Sequence, residues 1–135
     1  MNQVQLLGRT TREIELRYTN NGSAIARFTL AVDKPLSREK RQEYEAKNKN
    51  TTDFISCVAY GKIAETISKY VKKGNRLLII GSINTGKYQK NNNTIYTTDV
   101  LVSRINLIEN NKNKKQNIEE NKEYTPYFND FNYFE

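Results

Sequence analysis

Apolar and polar residues alternate along much of residues 1–108, which is the pattern of β-strands with one buried face. The clearest case covers residues 24–32, where every second position is apolar: Ala24, Ala26, Phe28, Leu30 and Val32. Further strands are expected over residues 4–18, over 77–88, which begins with the continuous apolar run 77–80, and over 94–102 and 105–108. The pattern therefore predicts a chain that is mainly β-sheet.

One segment has the period of a helix instead. Over residues 62–72 the apolar side chains fall at i, i+1, i+4, i+7 and i+8 and form one stripe: Ile63, Ala64, Ile67, Tyr70 and Val71. Gly74 follows as a left-handed cap, which indicates the end of the helix. By contrast, residues 34–52 show no period and predict a long polar loop.

The order of these elements, three strands, a helix and two strands, is that of the OB-fold. This all-β fold is a five-stranded Greek-key barrel, here with one helix between strands 3 and 4. We expect it to occupy residues 1–108. Residues 109–135 form a second region, because 110–122 are rich in Asn, Lys, Gln and Glu and too polar to build a core. That composition predicts a disordered C-terminal tail.

The strand that begins at Thr52 carries the strongest chemical signal. Alternation places Ile55, Cys57 and Ala59 toward the core, and the opposite face then holds Phe54, Ser56, Val58 and Tyr60. Two separated rings on one face suit the stacking of unpaired nucleic-acid bases. The same rings would also suit packing against a second layer of the protein, and parity alone does not decide between these readings. Cys57, the only cysteine, is expected to be a buried, inert thiol.

The charge distribution supports a polyanionic partner. Lys and Arg number 22 against 15 Asp and Glu, a net charge of +7. Residues 1–108 hold 18 basic and 9 acidic side chains (+9), and residues 109–135 hold 4 and 6 (−2). A basic body with a mildly acidic end favours nucleic-acid binding by the body.

Several functional classes are disfavoured by what the sequence lacks. It has no histidine, which excludes Ser-His, Cys-His and His-based zinc sites, so we predict no enzyme, no metal and no cofactor. Residues 81–87 match the G-x-x-x-x-G-K spacing of a phosphate-binding loop, but Tyr88 follows instead of Ser or Thr and no helix is predicted there. No apolar stretch has the length of a membrane span and no signal peptide is evident, so a cytoplasmic location is expected, in a bacterial cell or a phage-infected host.

A set of short motifs gives residues 2–108 a specific resemblance. In chain order these are Gly8-Arg9-Thr10-Thr11-Arg12, Glu15-Leu16-Arg17-Tyr18-Thr19, Gly22, Ala24-Ile25-Ala26-Arg27-Phe28-Thr29-Leu30-Ala31-Val32, Asp53-Phe54-Ile55, Tyr60-Gly61-Lys62-Ile63-Ala64-Glu65, Tyr70-Val71-Lys72-Lys73-Gly74 and Tyr96-Thr97-Thr98-Asp99-Val100. In order and spacing they resemble the bacterial-type single-stranded DNA-binding protein family. The resemblance implies a homotetramer of OB-folds that coats single-stranded DNA during replication, recombination and repair, without catalysis.

The resemblance also implies roles for individual residues. The family's base-stacking aromatics fall on Phe54, Tyr60 and Tyr88. A fourth position falls on Leu36, which can press on a base but has no π surface, and Tyr44 in the same loop is a candidate substitute. Four cations border the expected aromatic face and are candidate phosphate contacts, although each would also suit a solvated surface: Lys34, Lys62, Lys73 and Lys87.

The C-terminal end resembles the partner-docking tip of the family. The residues expected to bind a replication or recombination partner are Asp130, Phe131, Tyr133, Phe134 and Glu135. The tip keeps aromatic and acidic character but lacks the family's final Phe, which would suit a phage or mobile-element member with its own partners. Two other functions remain open at this stage: an OB-fold that binds RNA, and a protein-interaction module of a replication complex.

Overall fold

The computed structural model describes residues 1–108, which form six strands and two helices. In chain order the elements are β1 (Val4–Thr10), β2 (Glu15–Tyr18), β3 (Ala24–Asp33), α1 (Arg38–Ala46), β4 (Thr52–Tyr60), α2 (Gly61–Tyr70), β5 (Arg76–Lys90) and β6 (Asn93–Ile108). The strands belong to one sheet in the order β1-β5-β6-β4-β3-β2.

An additional pairing between β1 and β3 closes this sheet into a barrel. All neighbours around the barrel are antiparallel except β4 and β6, which run parallel. Because β1 and β2 are two parts of the first expected strand, the barrel has five strands and α2 lies between the third and the fourth. The expected OB-fold is confirmed.

Closure depends on a close approach between β1 and β3 at Gly8. A Cβ atom at this position would overlap the carbonyl oxygen of Ala31, so only glycine allows the two backbones to come together here. The next residue, Arg9, is then paired with Ala31 on one side and with Arg76 of β5 on the other. Gly8 therefore allows β1 to bridge two strands.

The barrel encloses one apolar core. Its buried members come from β3, β4, β5, β6 and the α2 region and include the fully buried Leu30, Leu77 and Ile79, and β1 packs against it with half-buried side chains. In β3, Ala24, Ala26, Phe28 and Leu30 are buried and Val32 packs against them, as the alternation predicts. Helix α2 covers part of this core with Ile63, Ala64 and Ile67, and Val71 follows as a buried C-cap residue. Gly74 has the positive φ, 82°, that was expected of it.

The prediction of a loop over residues 34–52 is wrong in its middle, where α1 forms. Ser37 caps the helix by accepting a hydrogen bond from the backbone N–H of Lys40 at 3.2 Å. Glu43 bonds with Lys47 at 3.1 Å and lies 3.7 Å from Lys40, and these two lysines hold its pKa below the usual value. No residue of α1 is buried. A helix without an apolar stripe leaves no periodic signal, which is why the sequence pattern missed it.

Strands β5 and β6 are longer than expected and form one continuous hairpin. The two segments predicted for β6 are joined by a bulge at Ser103, which shifts the register beside Ile80 and Gly81 and whose hydroxyl donates to the Ile80 carbonyl at 2.9 Å. This extra residue explains why the buried positions change from Val100 and Val102 to Ile105. Beyond the barrel the hairpin projects, and every residue from Ile83 to Lys90 is exposed.

Candidate nucleic-acid interface

Strand β4 has one buried face and one face that is exposed at both ends of the strand, as the sequence predicts. Cys57 and Ala59 are fully buried in the core, and Ile55 packs against it. On the opposite face Phe54 is 60% exposed and Tyr60 is 48% exposed. Such exposure does not fit the alternative in which these rings pack against a second layer. The two rings are available to a ligand at both ends of the strand.

The centre of this outer face differs from the expectation. Val58 shares the face of Phe54 and Tyr60 but is only 1% exposed. It is paired with Arg27 of β3 and with Leu101 of β6, so it lies in the middle of the sheet, where neighbours on both sides limit access. The face therefore presents two separate rings with a covered apolar position between them.

Tyr88 lies on the same face of the sheet as Phe54 and Tyr60. The register pairs Val58 with Leu101 and, further along the hairpin, Ile95 with Tyr88. Because Leu101 and Ile95 are separated by an even number of residues, their side chains share a face, and directly paired residues share it too. Tyr88 is 52% exposed. The register thus places the three rings on the outer face of the same sheet, and we call them the ring face (Phe54, Tyr60 and Tyr88).

Leu36 and Tyr44 occupy different positions around the β3–β4 connection. Leu36 is half-buried just before α1, and its backbone N–H donates to the carbonyl of Lys34 at 2.8 Å. Tyr44 lies on α1 and is also half-buried, with the ammonium of Lys49 at 5.6 Å from the centre of its ring. The Lys49 contact occupies one side of the Tyr44 ring, so Tyr44 is a poorer candidate for base stacking than the exposed rings.

The four candidate lysines have different surroundings. Lys34 forms an ion pair with Asp53, which neutralises its charge locally. Lys62 and Lys73 are exposed near the two ends of α2, and the backbone N–H of Lys73 donates to a carboxylate oxygen of Glu13 at 3.2 Å. Lys87 is exposed on the hairpin and pairs with Tyr96, so it projects from the opposite side of the strand to Tyr88. The four candidate lysines therefore do not share one surface: Lys34 is paired with Asp53, and Lys87 leaves the hairpin on the face opposite to Tyr88.

Tyr96 is an exposed ring that the sequence analysis did not select. It is 77% exposed, more than any other ring among residues 1–108. Tyr96 is on the same face of β6 as Val100 and Val102, whose side chains are buried. On this face a side chain within the barrel would belong to the core. The projection of the hairpin exposes it instead, and only the length of β5 and β6 reveals this.

Cys57 is the buried thiol that its position predicted. Its exposed fraction is 0%, and burial, together with the nearby charge of Asp99, raises its pKa from 9.0 to about 12. The reactive thiolate is therefore scarce at neutral pH. Among residues 1–108 no cluster of acidic and Cys side chains is suitable for a metal ion. Residues 81–87, with their phosphate-loop spacing, are part of strand β5.

The remaining expectations concern regions outside this site. No helix within residues 1–108 has the length and apolar character needed to cross a membrane. The tail prediction, with its docking residues Asp130, Phe131, Tyr133, Phe134 and Glu135, lies outside the described residues.

Comparison with known proteins agrees with this geometry. A model of the family described as the single-strand binding protein family matches residues 1–108. The chain belongs to the single-strand binding protein family. The match covers the whole barrel, both helices and all three rings of the ring face.

Individual members of the single-strand binding protein family are similar over the same region. A protein named single-stranded DNA-binding protein from Clostridium perfringens is 42% identical over 111 residues, which are 81% of this chain and 67% of that protein. Its namesake from Halalkalibacterium halodurans is 42% identical over 110 residues, 81% of this chain and 61% of the relative. A third protein of this name, from Fusobacterium nucleatum, is 40% identical over 105 residues, which are 78% of this chain and 65% of that protein. The chain thus spans about two thirds of the length of these curated relatives.

Proposed function

We propose that this protein binds single-stranded DNA without sequence preference and protects it during replication, recombination and repair. The observation that carries the proposal is the ring face, three exposed aromatic side chains connected by strand register in a member of the single-strand binding family. The names of its relatives support DNA as the ligand. The alternative RNA-binding and protein-interaction roles have no comparable support.

Stacking is the contact that this surface provides. Every base has a π-face, so aromatic platforms bind strands of any sequence, and each stacked base contributes about 1–3 kcal/mol. Phe54 and Tyr60 are six residues apart on one strand, which separates them by about 20 Å at roughly 3.3 Å per residue. Bases stacked on them would belong to separate nucleotides of one extended strand. The arrangement suits a flexible single strand better than a rigid duplex.

The charge of the barrel supplies the second contribution. Residues 1–108 carry nine more basic than acidic side chains, and Lys62, Lys73 and Lys87 are exposed. Contacts with phosphates are independent of sequence and weaken as salt increases. The proposed activity is binding alone and requires no catalytic group or cofactor. We place it in the cytoplasm, where single strands arise in a bacterial cell.

A titration with oligo-dT tests this function. The chain has no Trp and 9 Tyr residues, so intrinsic Tyr fluorescence is available as a signal for stacking on Tyr60 and Tyr88. We expect quenching on binding, with an affinity that falls between a low and a high salt concentration. Competition by duplex DNA and by oligo-U should be weak. Stronger binding of oligo-U would favour the RNA-binding alternative, and weak binding of both at low salt would favour the protein-interaction alternative.

We also propose that the protein assembles with itself as a homotetramer. Support comes from an apolar strip on the outer face of β1 and β5, where Leu7 is paired with Leu78 and Ile80 follows on the same face. Leu7 is 44% exposed, and the other two are half-buried. A second copy could cover this strip. Leu7→Asn should lower the mass measured by sedimentation, whereas Ile83→Asn, at an exposed apolar residue outside the strip, should not; a monomeric wild type would overturn the proposal.

A further part of the proposal assigns protein partners to the tail. Its composition supports a flexible connection ending in aromatic and acidic residues. Removal of residues 110–135 should leave a folded, assembled core that binds single-stranded DNA at least as tightly as the full chain. The same removal should abolish retention of a replication or recombination partner. Unfolding, or a lower affinity for DNA, would show that the terminal rings serve the core or the DNA instead.

A further inference from the structure

One basic side chain lies on the sheet between the rings of Phe54 and Tyr60. The outer face of β4 holds Phe54, Ser56, Val58 and Tyr60, and the residues of β3 paired with them are Ala31, Thr29, Arg27 and Ile25. Directly paired residues share a face, so all of these side chains leave the sheet on one side. Arg27 is the only charged residue in this set, and it is paired with Val58, between the two rings.

The Arg27 guanidinium is available to an anion. It is exposed and forms neither an ion pair nor a side-chain hydrogen bond within residues 1–108. The acidic residue paired with it, Glu15 of β2, forms its ion pair with Arg17 instead. Opposite charges at directly paired positions stabilise a sheet, so the register would allow an Arg27–Glu15 pair that this protein does not form. The positive charge of Arg27 therefore remains unmatched at the surface.

Arg27 borders a small open groove of about 190 Å³. Its lining includes Arg27, Thr29 and Ser56 of β3 and β4, and Arg12, Glu13 and Glu15 from β2 and the segment before it. Glu13 accepts a hydrogen bond from the backbone N–H of Lys73 at 3.2 Å, and Glu15 is paired with Arg17. Both carboxylates of the groove are thus engaged away from Arg27.

Two hydroxyl groups accompany the guanidinium. Thr29 and Ser56 are directly paired, two residues along their strands from the Arg27–Val58 pair. No hydrogen bond within the described part of the chain engages either hydroxyl. Serine and threonine hydroxyls are frequent contacts of nucleic-acid phosphates. We call these three residues the central cluster (Arg27, Thr29 and Ser56).

The central cluster is separate from the surface that the proposed homotetramer covers. The apolar strip of Leu7, Leu78 and Ile80 lies on β1 and β5, whereas the cluster lies on β3 and β4. Strand β6 stands between β4 and β5, and on its other side Arg27 is paired with β2, not with β1. A second copy seated on the strip therefore leaves the central cluster open.

We propose that the central cluster binds a backbone phosphate of the DNA between the nucleotides whose bases stack on Phe54 and Tyr60. This inference rests on the proposed function and adds a path to it, in which one strand runs along β3 and β4 from ring to ring. At roughly 3.3 Å per residue, Arg27 lies about 7 Å along the sheet from the row of Tyr60 and about 13 Å from that of Phe54. Its planar guanidinium can bind a phosphate in this interval with two hydrogen bonds.

The salt dependence of oligo-dT binding by the full chain tests the role of Arg27. Arg27→Gln should make the slope of log affinity against log salt shallower by about 0.7, the value for one phosphate. Over a tenfold change in salt, this variant should therefore lose about fivefold less affinity than the wild type. Arg27→Lys keeps the charge and should keep the slope, but it should bind more weakly because lysine cannot form the two-pronged contact. Lys69→Gln, which removes one charge from an exposed position of α2, should leave the slope unchanged.

The hydroxyl contacts have a different signature. A neutral hydroxyl releases no counterion, so Ser56→Ala should lower the affinity by the same factor at every salt concentration. An affinity equal to that of the wild type would contradict the central cluster.

Double variants locate the contact between the two rings. Combining Arg27→Gln with Phe54→Ala or with Tyr60→Ala should cost at least about twofold less than the product of the single losses, because loss of a neighbouring stacked base displaces the phosphate that Arg27 holds. With Tyr88→Ala the single losses should multiply, since Tyr88 lies on the projecting hairpin, away from this interval. Losses that multiply in all three combinations would overturn the proposed path.

The outcomes also distinguish this inference from the function on which it rests. A wild type that does not bind oligo-dT contradicts the proposed function. A wild type that binds, while Arg27→Gln keeps the wild-type slope or Lys69→Gln changes the slope equally, contradicts only the central cluster. The same conclusion follows if Arg27→Lys has the shallower slope of Arg27→Gln, or if both Arg27 variants lower the melting temperature while the slope stays constant.

Discussion

The two halves of the β5–β6 pair differ in burial: one half contributes to the core, and the other exposes its side chains. In the barrel half, Leu77, Ile79 and Gly81 alternate inward and are buried against Val102 and Ile105. In the projecting half, from Ile83 to Lys90, no residue is buried, although the backbone pairing continues to Lys90 and Asn93. The strand pairing runs through both halves, interrupted only by the bulge at Ser103 in the barrel half, and the burial of the side chains is the main difference between them.

This difference indicates where the free energy of folding resides. A two-stranded ribbon without a buried face is only marginally stable in water by itself, so the projecting half depends on the barrel half for its shape. Its side chains are correspondingly free to contact a ligand, and it contributes Tyr88 to the ring face. Stability and binding should therefore respond to different substitutions along the same strand.

The largest effect is expected from a core substitution in the barrel half. Ile79→Ala removes a fully buried side chain and should lower the free energy of unfolding by about 2–5 kcal/mol. Tyr88→Ala, nine residues further along β5, should change it by about 0.5 kcal/mol or less, because the ring is exposed. Denaturant titration of both variants gives the comparison. Equal losses would mean that the hairpin is part of the stable unit.

The next effect concerns binding by the ring face. Phe54→Ala, Tyr60→Ala and Tyr88→Ala should each weaken binding of oligo-dT by about 1–3 kcal/mol while the protein stays folded. Tyr96→Ala is the matched control, since it removes an exposed ring from the other face of the same hairpin and should have little effect. If Tyr96→Ala weakens DNA binding as much as Tyr88→Ala does, the hairpin binds DNA without a preference for the face of Tyr88.

At Leu36 a substitution is expected to tighten DNA binding instead of weakening it. Leu36→Ala should cost less than the loss of a ring, because leucine has no π surface to stack on a base. Leu36→Trp should tighten binding by restoring an aromatic platform at a half-buried position beside α1. The affinities of the two variants for oligo-dT, measured at one salt concentration, check this. A Trp variant with wild-type affinity would exclude this position from the DNA path.

Smaller effects are expected from the lysines, and the ion pair with Asp53 distinguishes Lys34. Lys62→Gln and Lys87→Gln should each make the salt dependence shallower by about 0.7, which corresponds to one phosphate. Lys34→Gln should change it less, because Asp53 already neutralises the Lys34 ammonium. The slopes of log affinity against log salt, measured over the same salt range for all three variants, decide which lysine contributes most. An unchanged slope for both Lys62 and Lys87 would assign them to the general surface charge.

The smallest effect concerns Cys57 and pH. The folded thiol has a pKa of about 12, whereas the unfolded thiol has the ordinary 9.0. The unfolded state therefore loses a proton first, so the free energy of unfolding should fall as pH rises above about 9 toward 12. At pH 8 a thiol reagent should react with the native protein only as fast as the chain opens. Rapid labelling without denaturant would contradict the burial of this side chain.

Much of the barrel could be predicted from the sequence, because burial imposes a period on it. The alternation of residues 24–32 and the stripe of Ile63, Ala64 and Ile67 are direct consequences of one-sided burial, and the structure confirms both. Helix α1 could not be found in this way, since it buries no residue and depends on the Ser37 cap and on ion pairs of Glu43. The bulge at Ser103 was also hidden, because a single extra residue simply divides one strand pattern into two.

The residues of the candidate site could likewise be predicted only where a local pattern marks them. Parity in β4 identified Phe54 and Tyr60, whereas Tyr88 came from resemblance to a family. Arg9 and Arg76 lie far apart in sequence and become neighbours only through the β1–β5 register. Pairings between distant strands are not encoded in any local pattern, so neighbours of this kind are found only in the structure.

The central claim is that the ring face binds the bases of a single strand, and an abasic strand tests it most directly. An oligomer of deoxyribose phosphates has the charge and length of oligo-dT but no base to stack. At equal salt, oligo-dT should bind with much higher affinity and quench the Tyr fluorescence, and the abasic strand should bind weakly with little quenching. Equal affinities for the two strands would show that charge alone drives binding and would contradict the account.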